Sequence, residues 1–178
     1  MDLIAADGQL DLEKFAANFS KKGYRTAAAA LKSRKTHQKL YEATEVNSLP
    51  LIRRALLKGA DPNWSNFEKF HTTALHVAAG QGYTYALRML LAAGGSVHSR
   101  DDGGYTPLHA AALGGHMETV GDLLRAGANA SVVDDEGQTA EAVAQGLGRC
   151  NVVDLLLSHA TSGKTPSLPA CTFDDAEL

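Results

Sequence analysis

Histidine and cysteine are the residues of this sequence whose side chains could bind a metal ion or act as nucleophiles. The chain has seven His, but none stands in an H-E-x-x-H pattern. Its two Cys, Cys150 and Cys171, have neither C-x-x-C nor zinc-ligand spacing. No Ser-His-Asp arrangement can be argued from the spacing of these residues. The sequence therefore predicts no metal site, no disulfide framework and no catalytic group.

Two stretches partly match nucleotide-binding loops. Residues 162–165 read "SGKT", but a phosphate-binding loop requires a Gly five residues before Gly163, and that residue is Ser158. Residues 146–151 read "GLGRCN", with Asn151 where a dinucleotide-binding loop has its third Gly. Both matches fail, so we predict a protein that is not an enzyme and that uses no cofactor and no small-molecule substrate.

The composition favours a helical protein. Hydrophobic residues make up 44% of the 178 residues, enough for a packed core, whereas aromatic residues make up only 6%. This balance favours closely packed small helices over a β-sandwich. No apolar run approaches the roughly 18 residues that cross a bilayer, and the opening "MDLIAADGQLDLEKF" does not resemble a signal peptide. We expect a cytoplasmic protein, with the nucleus as an alternative, that is not inserted in a membrane.

Charge is distributed unevenly along the chain. Residues 1–39 hold eight Lys or Arg and four Asp or Glu, a formal charge of +4. Residues 40–178 hold nine Lys or Arg and sixteen Asp or Glu, a formal charge of −7. The chain therefore has a basic beginning and an acidic body.

A repeat of 33 residues organises the middle of the chain. Thr73, Thr106 and Thr139 are each 33 residues apart. They begin the segments "TALHVAAGQGYTYALRMLLAAGGSVH", "TPLHAAALGGHMETVGDLLRAGANAS" and "TAEAVAQGLGRCNVVDLLLSHAT". A more divergent copy, "KLYEATEVNSLPLIRRALLKGADPN", precedes them. Internal repetition at this period indicates stacked structural units.

Each copy is predicted to form two short antiparallel helices. In the clearest copy, Thr106 and Pro107 suit the N-cap and first position of a helix. Gly115 can adopt the left-handed conformation that ends this helix, and Asn47 replaces the equivalent Gly in the first copy. The turn-rich segments after the second helices, such as "DDGGY", are predicted to form hairpin-like fingers.

"TPLHAAALGGH" and "TALHVAAGQGY", followed by "LLRAGAN" and "LLAAGGS", resemble ankyrin repeats over residues 39–160. The resemblance implies an all-α solenoid of stacked helix-turn-helix units with β-hairpin fingers. It also implies that His76 and His109 hydrogen-bond neighbouring Thr and backbone groups. Glu141 and Ala142 replace the Leu and His of the motif, as suits a C-terminal cap. The predicted repeats are 39–72, 73–105, 106–138 and 139–160.

The two ends do not match the repeat. Residues 1–38 have a helical pattern, and we interpret them as N-terminal capping helices that shield the first repeat. The alternative is a basic amphipathic element for an acidic partner, a membrane surface or nucleic acid, although no base-reading motif accompanies the charge. Residues 161–178 are expected to form a flexible tail.

The resemblance implies that partners are bound by the finger tips and by the exposed side of the first helices. Asp101 and Asp134 begin their turns, and we assign them structural roles through side-chain bonds to the turn. The predicted partner-binding residues of the fingers are Lys69, Phe70, Thr72, Asp102, Tyr105, Asp135, Glu136 and Gln138. Those of the first helices include Glu45, Val46, Gln81, Leu113 and Leu147.

The first finger is unusual in length and composition. From Gly59 to Gly94 is 35 residues, two more than the next interval, and the insertion falls within "WSNFEKF". Trp64, Phe67 and Phe70 therefore lie on or near a lengthened tip. Aromatic side chains among polar ones are typical of interface hot spots. The alternative is that these rings, Trp64 above all, fold back onto the repeat body.

These features predict a non-catalytic protein-protein interaction module, an adaptor or a regulatory subunit. The acidic tips suggest a partner whose surface is partly basic, and we expect a monomer that binds neither nucleic acid nor membranes. The alternatives are a stoichiometric inhibitor of an enzyme or transcription factor and an anchoring protein that uses its basic N-terminal helices.

Overall fold

The computed structural model describes the backbone of residues 24–160 and the side chains of residues 33–159. The part of the predicted N-terminal capping helices before residue 24 and the predicted flexible tail of residues 161–178 lie outside the described residues. The elements are α1 (Tyr24–Glu45), α2 (Leu49–Leu57), β1 (Ser65–Asn66), a 3-10 turn (Phe67–Lys69), β2 (Thr72–Thr73), α3 (Ala74–Gly80), α4 (Thr84–Ala92), α5 (Pro107–Gly114), α6 (Met117–Arg125), α7 (Ala140–Gly146) and α8 (Cys150–Ala160).

Helices pair within each repeat and stack between repeats. The first helices form one layer, in which α3 packs on α5 and α5 on α7. The second helices form another layer, in which α4 packs on α6 and α6 on α8. Antiparallel β1 and β2 pair Ser65 with Thr73 and Asn66 with Thr72 in the first finger. The predicted all-α solenoid is confirmed.

Small side chains bring the first helices close together. Ala78 and Ala79 of α3 and Ala111 and Ala112 of α5 are all fully buried. Leucines and valines of the second helices complete one continuous core. A helix face built of alanine leaves little distance between backbones, which is how each repeat buries its neighbour's surface. In the last repeat Glu141 is only half-buried, as suits a helix at the end of the stack.

The predicted helix ends are present. Asn47 has φ of 49°, and the equivalent glycines have φ between 67° and 75°. Their left-handed conformation ends the first helix of each repeat. Thr106 and Pro107 start α5 as predicted. Asn tolerates this conformation better than other non-glycine residues, which explains the exception in the first repeat.

A buried histidine in each of the second and third repeats connects the first helix of that repeat to the finger that follows it. The Nδ1 atom of His109 accepts from the backbone N–H of Thr106 at 3.3 Å, so its Nε2 carries the proton. Nε2 donates to the carbonyl of Gln138 at 3.1 Å. His76 makes the same bonds to Thr73 and to the carbonyl of Tyr105. The implied structural role of these histidines is therefore seen in both repeats.

Tyr41 makes the equivalent connection in the first repeat. It aligns with His76 in the repeat, and its hydroxyl lies 2.7 Å from Oγ1 of Thr72. The Thr72 hydroxyl already donates to the carbonyl of Lys69, so it accepts from Tyr41. Burial raises the pKa of Tyr41, which keeps this hydroxyl protonated. One helical position thus tethers three successive fingers.

Helix α1 runs through the predicted boundary between residues 38 and 39. It extends from Tyr24 to Glu45 without a break, because residues 24–45 contain no Gly or Pro that would end a helix. The division between N-terminal extension and first repeat is therefore not marked by a helix end.

An ion cluster joins the second helices. Nε of Arg88 donates to Oδ2 of Asp122 at 2.6 Å, and Arg125 also hydrogen-bonds this carboxylate. Burial of Asp122 opposes its ionisation, but the bonds from the two guanidinium groups outweigh burial and lower its pKa. The cluster holds α4 against α6.

Acidification is expected to destabilise the protein through His76 and His109. Burial lowers the pKa of both rings, although their backbone bonds oppose this shift. Unfolded histidines titrate near 6.5, so the unfolded chain binds more protons below that pH. Each His should then remove up to about 1.4 kcal/mol of unfolding free energy per pH unit. Urea unfolding at pH 7.5 and 5.5 measures this loss.

The double variant His76→Asn/His109→Asn is expected to lose less stability than the wild type between the two pH values. His98→Asn, at an exposed histidine, provides the matched control and should leave the difference unchanged. An equal loss in all three proteins would show that other groups cause the pH dependence.

Candidate partner-binding surface

In each finger, one side chain accepts hydrogen bonds from backbone N–H groups of the turn, and these bonds locate the two inserted residues of the first finger. Oδ1 of Asp101 accepts the backbone N–H groups of Gly103 and Tyr105, and Asp134 makes the same bonds in the third finger. In the first finger, Asn66 takes this role and accepts from the N–H of Glu68. The predicted structural role of the two aspartates is thus seen, and the sequence analysis did not identify Asn66 as their counterpart.

The first finger has a five-residue tip, whereas the other two have three. Asp101 bonds Tyr105 through their backbones, and Asp134 bonds Gln138, so three residues lie between each pair. In the first finger, Asn66 pairs with Thr72, and residues 67–71 lie between them. The two additional residues therefore enlarge the tip itself.

The enlarged tip ends in two left-handed residues. Phe70 and His71 both have φ of 54°, a conformation that is uncommon for non-glycine residues and costs energy. His71 aligns with Gly104 and Gly137, as the repeat register predicts. The tip is held to the second finger: the carbonyl of Phe70 accepts from the N–H of Asp102 at 3.0 Å, and Nδ1 of His71 lies 2.6 Å from Oδ1 of Asp102.

The three aromatic residues of the first finger have different environments. Trp64 is partly buried, stacks on His37 at a centroid distance of 6.4 Å and meets the edge of Tyr41 at 6.3 Å. Phe67 remains 51% exposed beneath the guanidinium of Arg34, and Phe70 is 75% exposed. Trp64 therefore fastens the finger to α1, Phe67 is half exposed with one contact to Arg34 of α1, and Phe70 faces solvent.

A groove of about 660 Å³ lies between the first helices and the fingers. It brings together five of the predicted residues, which come from two fingers and from the ends of three first helices. These residues are Glu45, Thr72, Gln81, Tyr105 and Leu113. Leu113 is 47% exposed, which is unusual for a leucine in a helix of a packed layer. The groove is the concave surface that stacked repeats form.

Val46 and Leu147 are exposed just after their first helices and do not line the groove. The remaining predicted residues belong to the fingers. Asp102 faces His71, Asp135 lies 3.4 Å from Arg100, and Glu136 accepts from the side chain of Gln138. These partners offset part of the negative charge of the tips. The tip residues outside the groove are Phe67, Lys69, Phe70, Asp102, Asp135, Glu136 and Gln138.

Tyr41, which the sequence analysis did not select, also lines the groove. Nζ of Lys69 lies 5.6 Å from the centre of its ring and forms an ion pair with Glu45. The hydrogen bond with Glu45 raises the pKa of Lys69, so its ammonium stays charged. The alignment of Tyr41 with His76 was the available signal, but Tyr differs from the His of the motif.

The described part of the chain has neither a cluster of metal-binding side chains nor a membrane-spanning helix. Between residues 24 and 160, no three His, Cys, Asp or Glu side chains come together to hold a metal ion. Within the same residues, no helix has the length and apolar character to cross a membrane.

The comparison with protein families agrees with this geometry. A family model of ankyrin repeats, in three copies, matches residues 40–134. The chain belongs to the ankyrin-repeat family. Ankyrin repeats are modules of protein-protein interaction, and the domains of this family are generally non-catalytic.

Similarity to curated proteins is confined to segments. The chain is 36% identical to ARF GTPase-activating protein Git of Drosophila melanogaster over 70 residues, 39% of this chain and 9% of that protein. It is 41% identical over 56 residues to potassium channels KOR1 of Oryza sativa subsp. japonica and GORK of Arabidopsis thaliana, 32% of this chain. These matches cover 6% and 7% of the two channels.

Substitution of the first-finger aromatics is expected to separate a structural ring from exposed ones. Trp64→Ala removes the contacts with His37 and Tyr41 and should lower the free energy of unfolding by about 1–3 kcal/mol. Phe70→Ala, at an exposed ring, should change it by no more than about 0.5 kcal/mol. Urea unfolding of both variants measures the difference. Equal losses would mean that Phe70 also packs against the repeat body.

Proposed function

We propose that this protein is a non-catalytic adaptor or regulatory subunit that binds a protein partner through its concave groove and finger tips. The observation that carries this proposal is the enlarged first finger, which exposes Phe67 and Phe70 beside the groove. Large exposed rings on a fixed support are the composition of an interface hot spot.

The support beneath these rings favours a binding role. Asn66 caps the 3-10 turn, Trp64 packs on α1, and Asp102 holds the end of the tip through both backbone and side chain. A preorganised tip loses less conformational entropy when a partner binds. The strained φ angles of Phe70 and His71 are consistent with a tip shaped for contact.

Charge supports a partly basic partner surface. Asp102, Asp135 and Glu136 stand at successive tips, and residues 40–178 have a formal charge of −7. Because intramolecular partners already offset some of these carboxylates, their contribution is mainly to the rate and orientation of encounter. The apolar rings would provide most of the affinity.

Simultaneous replacement of Phe67 and Phe70 by Ala is expected to weaken partner binding at least tenfold while leaving the melting temperature nearly unchanged. Truncation of hot-spot rings costs more than about 1 kcal/mol each. Partners would be captured by photo-cross-linking in native lysate, with a photoreactive residue at position 113 in the groove. Affinity of the captured partner is then measured for both proteins.

Tyr85→Ala is the matched control, because Tyr85 is a 72% exposed aromatic residue on α4 that lines neither groove nor fingers. It should leave affinity unchanged. Equal affinity of the Phe67/Phe70 variant and the wild type would contradict the proposal. So would cross-linking that is as efficient from position 85 as from position 113.

The alternative roles are distinguished by the captured partner. An inhibitor would suppress the activity of the partner in proportion to the amount of complex, whereas an adaptor would leave it unchanged. An anchoring role is tested by removing residues 1–23, which leaves α1 and its contacts with the first finger in place. Loss of localisation with unchanged partner affinity would favour the anchor.

A further inference from the structure

Lys69 lies outside the groove lining but contacts two residues that line it. From the enlarged tip, its ammonium lies over the ring of Tyr41 and pairs with the carboxylate of Glu45. Tyr41 and Glu45 are four residues apart on α1 and so share one face of the helix. Both line the groove. An aromatic ring and a carboxylate on one face form a site for a positively charged side chain.

The remainder of the groove has the same character. Tyr105 and Asp101 also line it, and its described lining contains no Lys or Arg. His76, the basic residue among them, has its pKa lowered by burial and donates to a backbone carbonyl. Apart from the ammonium of Lys69 beside Glu45, the groove therefore presents tyrosine rings and two carboxylates, of which Asp101 also holds its own turn. This charge is complementary to a basic segment and unfavourable for an acidic one.

Displacement of Lys69 requires little energy. Its side chain is 52% exposed and that of Glu45 is 35% exposed, and ion pairs at such surface positions contribute little to stability. The lysine is carried by a tip that projects into solvent, so its side chain can turn away while the backbone of the finger stays in place. A cation from a partner can thus replace it without unfolding any element.

We propose that the groove binds an extended basic segment of the partner, whose Arg or Lys side chain takes the place of Lys69 between Tyr41 and Glu45. Lys69 then acts as an intramolecular competitor that a basic segment must displace. This inference rests on the proposed function, because it specifies the chemistry of the partner at the same surface.

The test uses the full chain and a nine-residue peptide of alternating Ser and Arg, with a peptide of Ser and citrulline as the neutral control. Binding is followed by NMR titration of backbone amides. We expect shift changes at groove residues such as Glu45 and Leu113, and binding of the Arg peptide at least several-fold tighter than that of the citrulline peptide. Equal affinity for both would overturn the proposal and indicate that the groove binds apolar segments.

Two substitutions should have opposite effects. Lys69→Ala removes the competitor and is expected to tighten binding of the Arg peptide about 3- to 10-fold. Adding Glu45→Gln to this variant removes the carboxylate and should abolish the gain. Lys58→Ala, at the exposed residue that follows α2, and Asp154→Asn, at an exposed residue of α8, reproduce the charge changes away from the groove. A gain for Lys58→Ala equal to that for Lys69→Ala would show that overall charge, not displacement, is responsible.

The outcome separates this inference from the proposed function. A partner whose affinity depends on Phe67 and Phe70 but not on Lys69 or Glu45 would overturn the proposal of a basic segment and leave the proposed function intact. If the peptide displaces Lys69 but the affinity of the partner does not depend on Phe67 and Phe70, the proposed role of the finger tip is contradicted. Melting temperatures of all variants establish that each is folded.

Discussion

A finger is stable only if something holds it against the helices beneath, and here one helical position does this three times. Tyr41, His76 and His109 each reach from a first helix to the residue that closes the next finger. The two histidines also bond the Thr at the start of their own helix. Each histidine therefore links helix start, helix and finger in one unit. Because the tethering position recurs in the first three repeats, the fingers keep a common direction, and the concave groove follows from it.

The lengthened first finger keeps this support while changing what it presents. Asn66 and Thr72 preserve the base of the turn, so the two extra residues extend only the tip. Extra length would ordinarily increase mobility. Contacts on both sides oppose this, with Trp64 packed on α1 and Asp102 bonded to the far end of the tip. A longer loop thereby exposes Phe67 and Phe70 on a fixed base.

The groove and the first finger are chemically connected through Lys69. The same tip that exposes the phenylalanines places a lysine over Tyr41 and Glu45. In the proposed binding mode, a partner would bury the two exposed rings and displace this cation. Affinity and selectivity would then come from different parts of one finger, because apolar burial is non-directional whereas charge complementarity discriminates between partners.

The repeat period, the helix ends and the turn residues are determined by the sequence, since they depend on neighbours close along the chain. Thr106, Pro107 and Gly115 specify a helix start and stop wherever the chain folds. The exposed tip of the first finger also follows from the register. The tertiary structure alone decides that Trp64 packs on His37, that Tyr41 replaces the tethering histidine, and that Lys69 pairs with Glu45. These contacts join residues 24 to 31 positions apart, and no local pattern encodes them. They exist because stacking brings α1 and the first finger together.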